Sequence, residues 1–176
     1  MPTRPLPVFG FSAFSGTGKT SLLIELIPIL KQRGLRVGVI KHSHHDFEID
    51  HPGKDSFRLR KSGATPVMIA SPFRRVVITE FAEPAELDLR QHLAAFPTDD
   101  LDLLLVEGFR NADFTKIELH RPSLGKPLLY PDDPNIIAVA SDTPLSTPAH
   151  VPNLDLNHPA AIADFIVTNL PRLNLD

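Results

Sequence analysis

The chain has 176 residues, of which 42% are hydrophobic and 22% charged, as in an ordinary globular α/β domain with a sizeable core. A net charge of −3 argues against a general nucleic-acid-binding protein, and the lack of cysteine excludes disulfides and cysteine-ligated zinc. No apolar segment approaches the roughly 20 residues that cross a bilayer, and the N-terminus lacks the apolar stretch of a signal peptide. We therefore expect a soluble, cytoplasmic protein that binds neither nucleic acid nor membrane.

The first forty residues predict a βαβ unit. Residues 8–14 form a short apolar run, which predicts a buried strand that leads into a glycine-rich loop. Residues 20–33 carry leucine and isoleucine at helical spacing and end at Gly34, although Pro28 is expected to bend this helix. Residues 35–41 are rich in valine and isoleucine and predict a second strand. A crossover of this kind implies a parallel sheet.

The middle of the chain is less regular. Residues 42–52 are polar and histidine-rich, which predicts a loop, and residues 54–62 predict a short basic helix. Residues 66–71 and 75–79 predict two strands that form a hairpin. Residues 86–96 predict an amphipathic helix.

The last part of the chain returns to buried strands. Residues 101–106 are the most apolar run, which predicts a central strand, whereas residues 116–120 predict an edge strand. Residues 136–140 predict another buried strand, and residues 160–170 a closing helix. The alternation predicts one doubly wound, mostly parallel α/β domain over the whole chain, with an inserted β-rich segment at about residues 45–100.

A phosphate-binding loop follows the first strand. Glycines at a strand-to-helix turn allow backbone N–H groups to approach phosphate oxygens, while Lys19 bridges the β- and γ-phosphates and the Thr20 hydroxyl contributes to a magnesium site. The motif has glycine where this chain has Ala13, which is the smallest departure available. The predicted nucleotide-binding residues of the loop are Ser15, Gly16, Thr17, Gly18, Lys19, Thr20 and Ser21.

Two acidic residues are candidates for magnesium and catalysis. Glu107 stands at the carboxyl end of the most apolar strand, where many P-loop proteins place an acid that holds magnesium through water. Asp46 follows the second strand, whose carboxyl end shares an edge of the sheet with the phosphate loop. We predict catalytic roles for Lys19, Asp46 and Glu107, and magnesium binding for Asp46 and Glu107 with Thr20. Alternatively, Glu107 is a surface residue at a strand end.

The segment around Asp46 admits other interpretations. His42, His44 and His45 are potential ligands of a transition metal, although their spacing matches no standard zinc site. A plain solvated loop is the remaining alternative.

Basic residues near this segment predict an anion or cofactor site, and a solvated helix face is the equally weighted alternative. The residues proposed for it are Lys41, His42, His45, Lys54, Arg58, Arg60 and Lys61. Ser141 and Asp142 are also predicted to bind the nucleotide, because they follow a late strand, where GTP-binding proteins often place an aspartate that recognises guanine. The usual Asn-Lys-x-Asp motif is absent.

Taken together, these motifs resemble the molybdopterin-guanine dinucleotide biosynthesis protein B (MobB) family over nearly the whole length. The lysine-histidine run followed by Pro-Gly-Lys-Asp-Ser is the most specific part of the resemblance. The matching segments are residues 15–20, 40–46, 52–56, 59–64, 105–109 and 138–142.

The resemblance implies a homodimeric GTP-binding protein with slow GTPase activity and with magnesium as cofactor. It also implies an adapter role toward the guanylyltransferase that attaches GMP to molybdopterin, and an insertion that contributes to an intersubunit sheet. The hypothesis that the basic residues contact molybdopterin or the molybdenum cofactor is our own.

Two other functions fit a phosphate loop. A small-molecule kinase that uses ATP would place residues 58–61 as a lid over the nucleotide, but no acid-and-arginine pair is evidently committed to a hydroxyl acceptor. A scaffold that binds nucleotide only for stability is a third hypothesis. Hydrolysis is expected to be slow because no water-orienting glutamine is evident, and Arg110 is the nearest candidate for an arginine finger.

Overall fold

The computed structural model describes residues 6–43, 46–83, 87–145 and 150–170. The chain separates into two compact units, one made of residues 1–42 and 89–176 and the other of residues 43–88. Residues 89–100, expected within the insertion, therefore belong to the first unit.

The helices and strands follow the predicted order closely. The strands are β1 (Val8–Ser12), β2 (Val37–Lys41), β3 (Val67–Ala70), β4 (Arg75–Ile78), β5 (Leu103–Glu107), β6 (Lys116–His120), β7 (Ile136–Ser141) and β8 (Asn153–Asp155). The helices are α1 (Lys19–Gln32), α2 (Asp55–Lys61), α3 (Leu89–Ala95) and α4 (Pro159–Asn169). The short strand β8 and a 3₁₀ turn at Pro122–Leu124 were not predicted, and α1 is a single helix with Pro28 inside it.

The first unit contains a six-stranded sheet in the order β2-β5-β1-β6-β7-β8, and every neighbouring pair is parallel. The predicted mostly parallel α/β fold is confirmed, as is the interior position of β5. The prediction that β6 is an edge strand is wrong, because β6 pairs with both β1 and β7. Its alternating polar residues suggested one solvated face, yet all five residues of the strand are buried.

One face of this sheet packs against α1 and α4. Phe9 and Phe11 of β1 belong to the same buried cluster as Ile117 of β6, and Leu26 of α1 and Ile162 of α4 complete it. These side chains are completely buried. This core fixes the start of α1 against the end of β1, which is where the phosphate loop lies.

The other face of the sheet carries three ionisable side chains of β6. Side chains alternate along a strand, so Lys116, Glu118 and His120 point away from the face that holds Ile117. Phe114 packs on this second face against β1, where a Cβ atom on Gly10 would lie 2.4 Å from the Phe114 ring. The connections before and after β6, rather than long helices, therefore cover this part of the sheet.

The second unit consists of α2 and the antiparallel β3–β4 hairpin, with Val67 opposite Ile78. Arg60 of α2 has a side chain only 5% exposed, and it forms ion pairs with Glu48 and Glu80. Arg60 therefore holds this unit together and is not part of an accessible basic surface, which corrects the predicted anion-binding set. Lys54, Arg58 and Lys61 remain exposed.

Candidate nucleotide-binding site

The phosphate loop joins β1 to α1. Gly16 and Gly18 have φ angles of 80° and 101°, which side-chain-bearing residues rarely adopt. A Cβ atom on Gly16 would meet nothing within 4 Å, so the loop is open at this point. The Thr17 hydroxyl donates a hydrogen bond to the Phe14 carbonyl at 2.9 Å, which stabilises the turn of the loop. The predicted loop residues thus lie together at the N-terminus of α1, which favours bound anions.

Lys19 folds back onto its own loop. Its ammonium donates to the carbonyl oxygens of Ala13 at 3.0 Å and Phe14 at 3.3 Å. Burial lowers the pKa of Lys19, Glu107 opposes this effect, and the positive charges of Lys41 and Arg110 add to it. A partly desolvated ammonium among other cations is stabilised by an incoming anion.

Thr20 and Glu107 meet beside this lysine. The Thr20 hydroxyl donates to Glu107 Oε1 at 2.8 Å, although the two residues are 87 positions apart in the chain. The Lys41 ammonium lies 3.1 Å and 3.2 Å from the two Glu107 oxygens and 3.4 Å from the Thr20 hydroxyl. The Glu107 side chain is only 12% exposed, so it is not a solvated strand-end residue. Hydroxyl and carboxylate oxygens that share a cation in this way are ligands that suit magnesium.

The segment after Glu107 packs closely against the end of β2. Gly108 has a φ angle of 100°, and a Cβ atom there would lie 2.6 Å from His42 Cβ. The His42 ring lies 4.6 Å from the Phe109 ring, and the His92 ring lies 5.9 Å from it. His42 is therefore part of a ring cluster that supports the site.

The structure does not test the remaining predicted residues of this region. His44 and His45 lie outside the described residues, and Asp46 is an exposed residue of the second unit, so their roles stay predictions. Among the described residues, no group of three or more histidine, aspartate or glutamate side chains is arranged to hold a metal ion. None of the described helices is long and apolar enough to cross a membrane.

A functional residue that the sequence did not reveal is Arg121. Its Nε donates to the Thr17 carbonyl in the phosphate loop at 2.9 Å, and its Nη1 pairs with Asp142 Oδ2 at 2.6 Å. The other Asp142 oxygen is buried without a partner among the described residues, as is the Ser141 hydroxyl. Arg121 directly follows β6, at the carboxyl edge of the sheet, and that position is the sequence signal that could have pointed to it. It links the predicted base-binding aspartate to the phosphate loop.

A parallel sheet, a glycine-rich loop between β1 and α1, and a lysine, threonine and strand-end acid gathered there define a P-loop NTPase fold. The family model described as "Molybdopterin guanine dinucleotide synthesis protein B" matches residues 8–142. The chain belongs to this family, and the resemblance drawn from its motifs is confirmed.

Relatives and solved structures agree with this assignment. The chain is 46% identical over 170 residues to the molybdopterin-guanine dinucleotide biosynthesis adapter protein of Escherichia coli K12, covering 96% of each chain. It is 44% identical over 162 residues to the protein of the same name in Haemophilus influenzae, covering 92% of this chain and 88% of that one. A crystal structure of molybdopterin-guanine biosynthesis protein B superposes with a TM-score of 0.70 at 29% identity, covering 92% of this chain and 98% of that one.

Proposed function

We propose that this protein is a cytoplasmic GTP-binding adapter with slow GTPase activity in the biosynthesis of molybdopterin-guanine dinucleotide. The observation that carries the proposal is the hydrogen bond between Thr20 and Glu107 beside the phosphate-loop lysine. The names of the Escherichia coli and Haemophilus influenzae relatives supply the adapter role. The guanylyltransferase that joins GMP to molybdopterin is the proposed partner, because nothing in this chain resembles a nucleotidyltransferase signature.

The phosphate loop supplies the binding of the triphosphate. Lys19 exchanges its two loop carbonyls for phosphate oxygens, and α1 directs its N-terminus toward the same charge. Thr20 and Glu107 would hold Mg²⁺, which would supply charge neutralisation on the phosphates. Lys41 pairs with the Glu107 carboxylate and so holds it in place.

Asp142 is the proposed determinant of guanine selection. One Asp142 oxygen is buried and has no partner among the described residues, so it is an acceptor for the N1–H and N2–H groups of guanine, which adenine lacks. Arg121 holds the other oxygen and so fixes the carboxylate orientation. Recognition of this kind discriminates strongly, because the wrong base leaves a buried acceptor unpaired.

Hydrolysis is proposed to be slow because the described part of the site has no group evidently placed to orient an attacking water. Arg110 is the nearest arginine, and its guanidinium lies 5.3 Å from the centre of the Phe14 ring. We propose that Arg110 contacts the phosphates bound to its own subunit or those bound to the other subunit of a dimer. Asp46 is retained as a proposed sensor of the γ-phosphate.

The second unit is the proposed dimerisation element. An isolated two-stranded hairpin is only marginally stable in water and has open edges. Large apolar side chains on this hairpin are exposed, with Met68 at 60%, Phe73 at 89% and Val77 at 50%. We propose that a second copy of this chain covers them. Light scattering tests this proposal: V77K is expected to shift a dimer toward monomer, and a wild-type monomer at tens of micromolar would contradict it.

Calorimetric titration tests the nucleotide assignment. Non-hydrolysable analogues of GTP and ATP are titrated into the protein with and without Mg²⁺, and K19A serves as the variant without the phosphate-loop amine. We expect preference for the GTP analogue, tighter binding with Mg²⁺, and loss of binding in K19A. Preference for ATP would favour the kinase alternative instead, which predicts phosphoryl transfer to a metabolite far faster than hydrolysis.

A further inference from the structure

A cavity of about 510 Å³ lies beside the phosphate loop on the second face of the sheet. Phe14 of the loop borders it, together with residues of the connections before and after β6. This volume is typical of sites that bind small molecules. Of the residues proposed above for the nucleotide, Arg110 lines this cavity, whereas Lys19, Thr20, Glu107 and Asp142 do not. Most of the cavity is therefore not accounted for by the nucleotide site.

The first wall of the cavity is anchored by a buried lysine. The Lys116 side chain is 2% exposed, and its ammonium donates to the carbonyls of Arg110 at 2.9 Å and Ala112 at 2.8 Å. The same ammonium pairs with Asp133 Oδ2 at 2.7 Å. Lys116 thus ties the connection before β6 to the connection after it, and both connections border the cavity.

The second wall is anchored by a buried glutamate. Glu118 accepts hydrogen bonds from the backbone N–H groups of Leu129 and Tyr130, both at 2.8 Å. Burial raises the pKa of Glu118, and these two N–H donors oppose that effect. These buried charges hold both connections that border the cavity, which limits the rearrangement that a bound ligand would require.

The cavity presents two kinds of chemistry. Arg110 lines the cavity, and Lys126 stands outside its lining over the same Phe14 ring. The two cations lie 5.3 Å and 5.8 Å from the ring centre, and neither forms an ion pair within the described residues. Exposed cations beside an aromatic face suit a phosphate attached to a flat ring. Asp132 and Asn135 also line the cavity, and the Asp132 carboxylate forms no hydrogen bond or ion pair among the described residues.

A carboxylate together with an amide group suits the N–H-bearing edge of a heterocycle. We propose that this cavity binds a second ligand, a phosphorylated 2-amino-4-oxo heterocycle, separately from the nucleotide at the phosphate loop. Pterin phosphates and guanine nucleotides both present this edge, and we infer that the occupant is the pterin phosphate. The inference rests on the proposed function, because the nucleotide is assigned to Lys19, Thr20 and Asp142. It places the second ligand against Phe14 of the phosphate loop and beside Arg110.

Fluorescence titration with neopterin monophosphate tests the proposal, since pterins fluoresce and the chain has no tryptophan. The protein is first loaded with a non-hydrolysable GTP analogue and Mg²⁺. We expect saturable binding, with the dissociation constant about tenfold higher for D132N and for R110A, as for the loss of one charge-assisted hydrogen bond. The exposed residues Asp99 and Lys31 provide matched controls, and D99N and K31A are expected to bind as the wild type does.

The outcomes separate this proposal from the proposed function. Binding of neopterin monophosphate to K19A, which lacks the phosphate-loop amine, is expected to persist. The proposal is overturned if GTP binds normally while the pterin does not, and the nucleotide assignment then stands. It is also overturned if the GTP analogue competes with the pterin, or if D132N weakens binding of the GTP analogue alone. Either result would mean that the cavity is not a separate site for the pterin. Pterin binding without GTP binding would instead refute the proposed function.

Discussion

Replacing Lys116 by methionine tests whether a buried lysine stabilises the centre of the sheet. Methionine keeps most of the volume but removes the ammonium that contacts two carbonyls and Asp133 at 2.7–2.9 Å. Breaking a buried ion pair by removing one partner costs about 3–5 kcal/mol. At about 2–4 °C per kcal/mol for a chain of this size, K116M is expected to melt roughly 6–20 °C lower.

Urea denaturation followed by far-ultraviolet circular dichroism measures this loss as a change in the free energy of unfolding. Lys126, an exposed lysine over the Phe14 ring, supplies the matched control, and K126M is expected to change stability by less than about 0.5 kcal/mol. The double variant K116M/D133N is expected to recover part of the loss, because it no longer leaves an unpaired carboxylate. Equal stability of K116M and wild type would refute the reasoning, since the ammonium would then be replaceable by apolar packing alone.

Three further predictions concern the same region. G10A is expected to lose about 1–3 kcal/mol of stability in urea, because its methyl group would overlap the Phe114 ring, whereas equal stability would show that the ring moves freely. Burial lowers the pKa of His120, so below about pH 6.5 the unfolded state binds more protons than the folded state and the free energy of unfolding falls. H120Q is expected to reduce this change in the free energy of unfolding between pH 7.5 and 5. R121A is expected to reduce the preference for GTP over ATP analogues about tenfold in calorimetry, and an unchanged ratio would separate Arg121 from Asp142.

Local patterns were sufficient for most of the fold. The leucine spacing after residue 19 and the apolar run at β5 predicted the helix and the central strand, because each element buries a surface that its own sequence displays. The phosphate loop was predictable for a similar reason, since its chemistry is contained in eight consecutive residues. The pairing of Thr20 with Glu107 was predictable only through the rule that strand ends meet at one edge of a parallel sheet.

The misassigned elements depend on contacts that are distant in sequence. The β6 segment alternates like a half-exposed strand, but Lys116 and Glu118 are buried because connecting segments provide their partners. Arg60 has the sequence context of a solvated helix face, yet Glu48 and Glu80 neutralise it. The alternation of polar and apolar residues shows which side chains are polar, but it does not show which distant atoms pack against them. Arg121 was missed for the same reason.

The buried charges of β6 also constrain how this fold can diverge. A relative that replaced Glu118 with an apolar residue would leave the N–H groups of Leu129 and Tyr130 without acceptors, so the connection after β6 would have to change in the same lineage. The strand and its two connections are therefore expected to vary together among homologues. The opposite face, where Ile117 belongs to a cluster of buried apolar side chains, can exchange one aliphatic residue for another of similar volume.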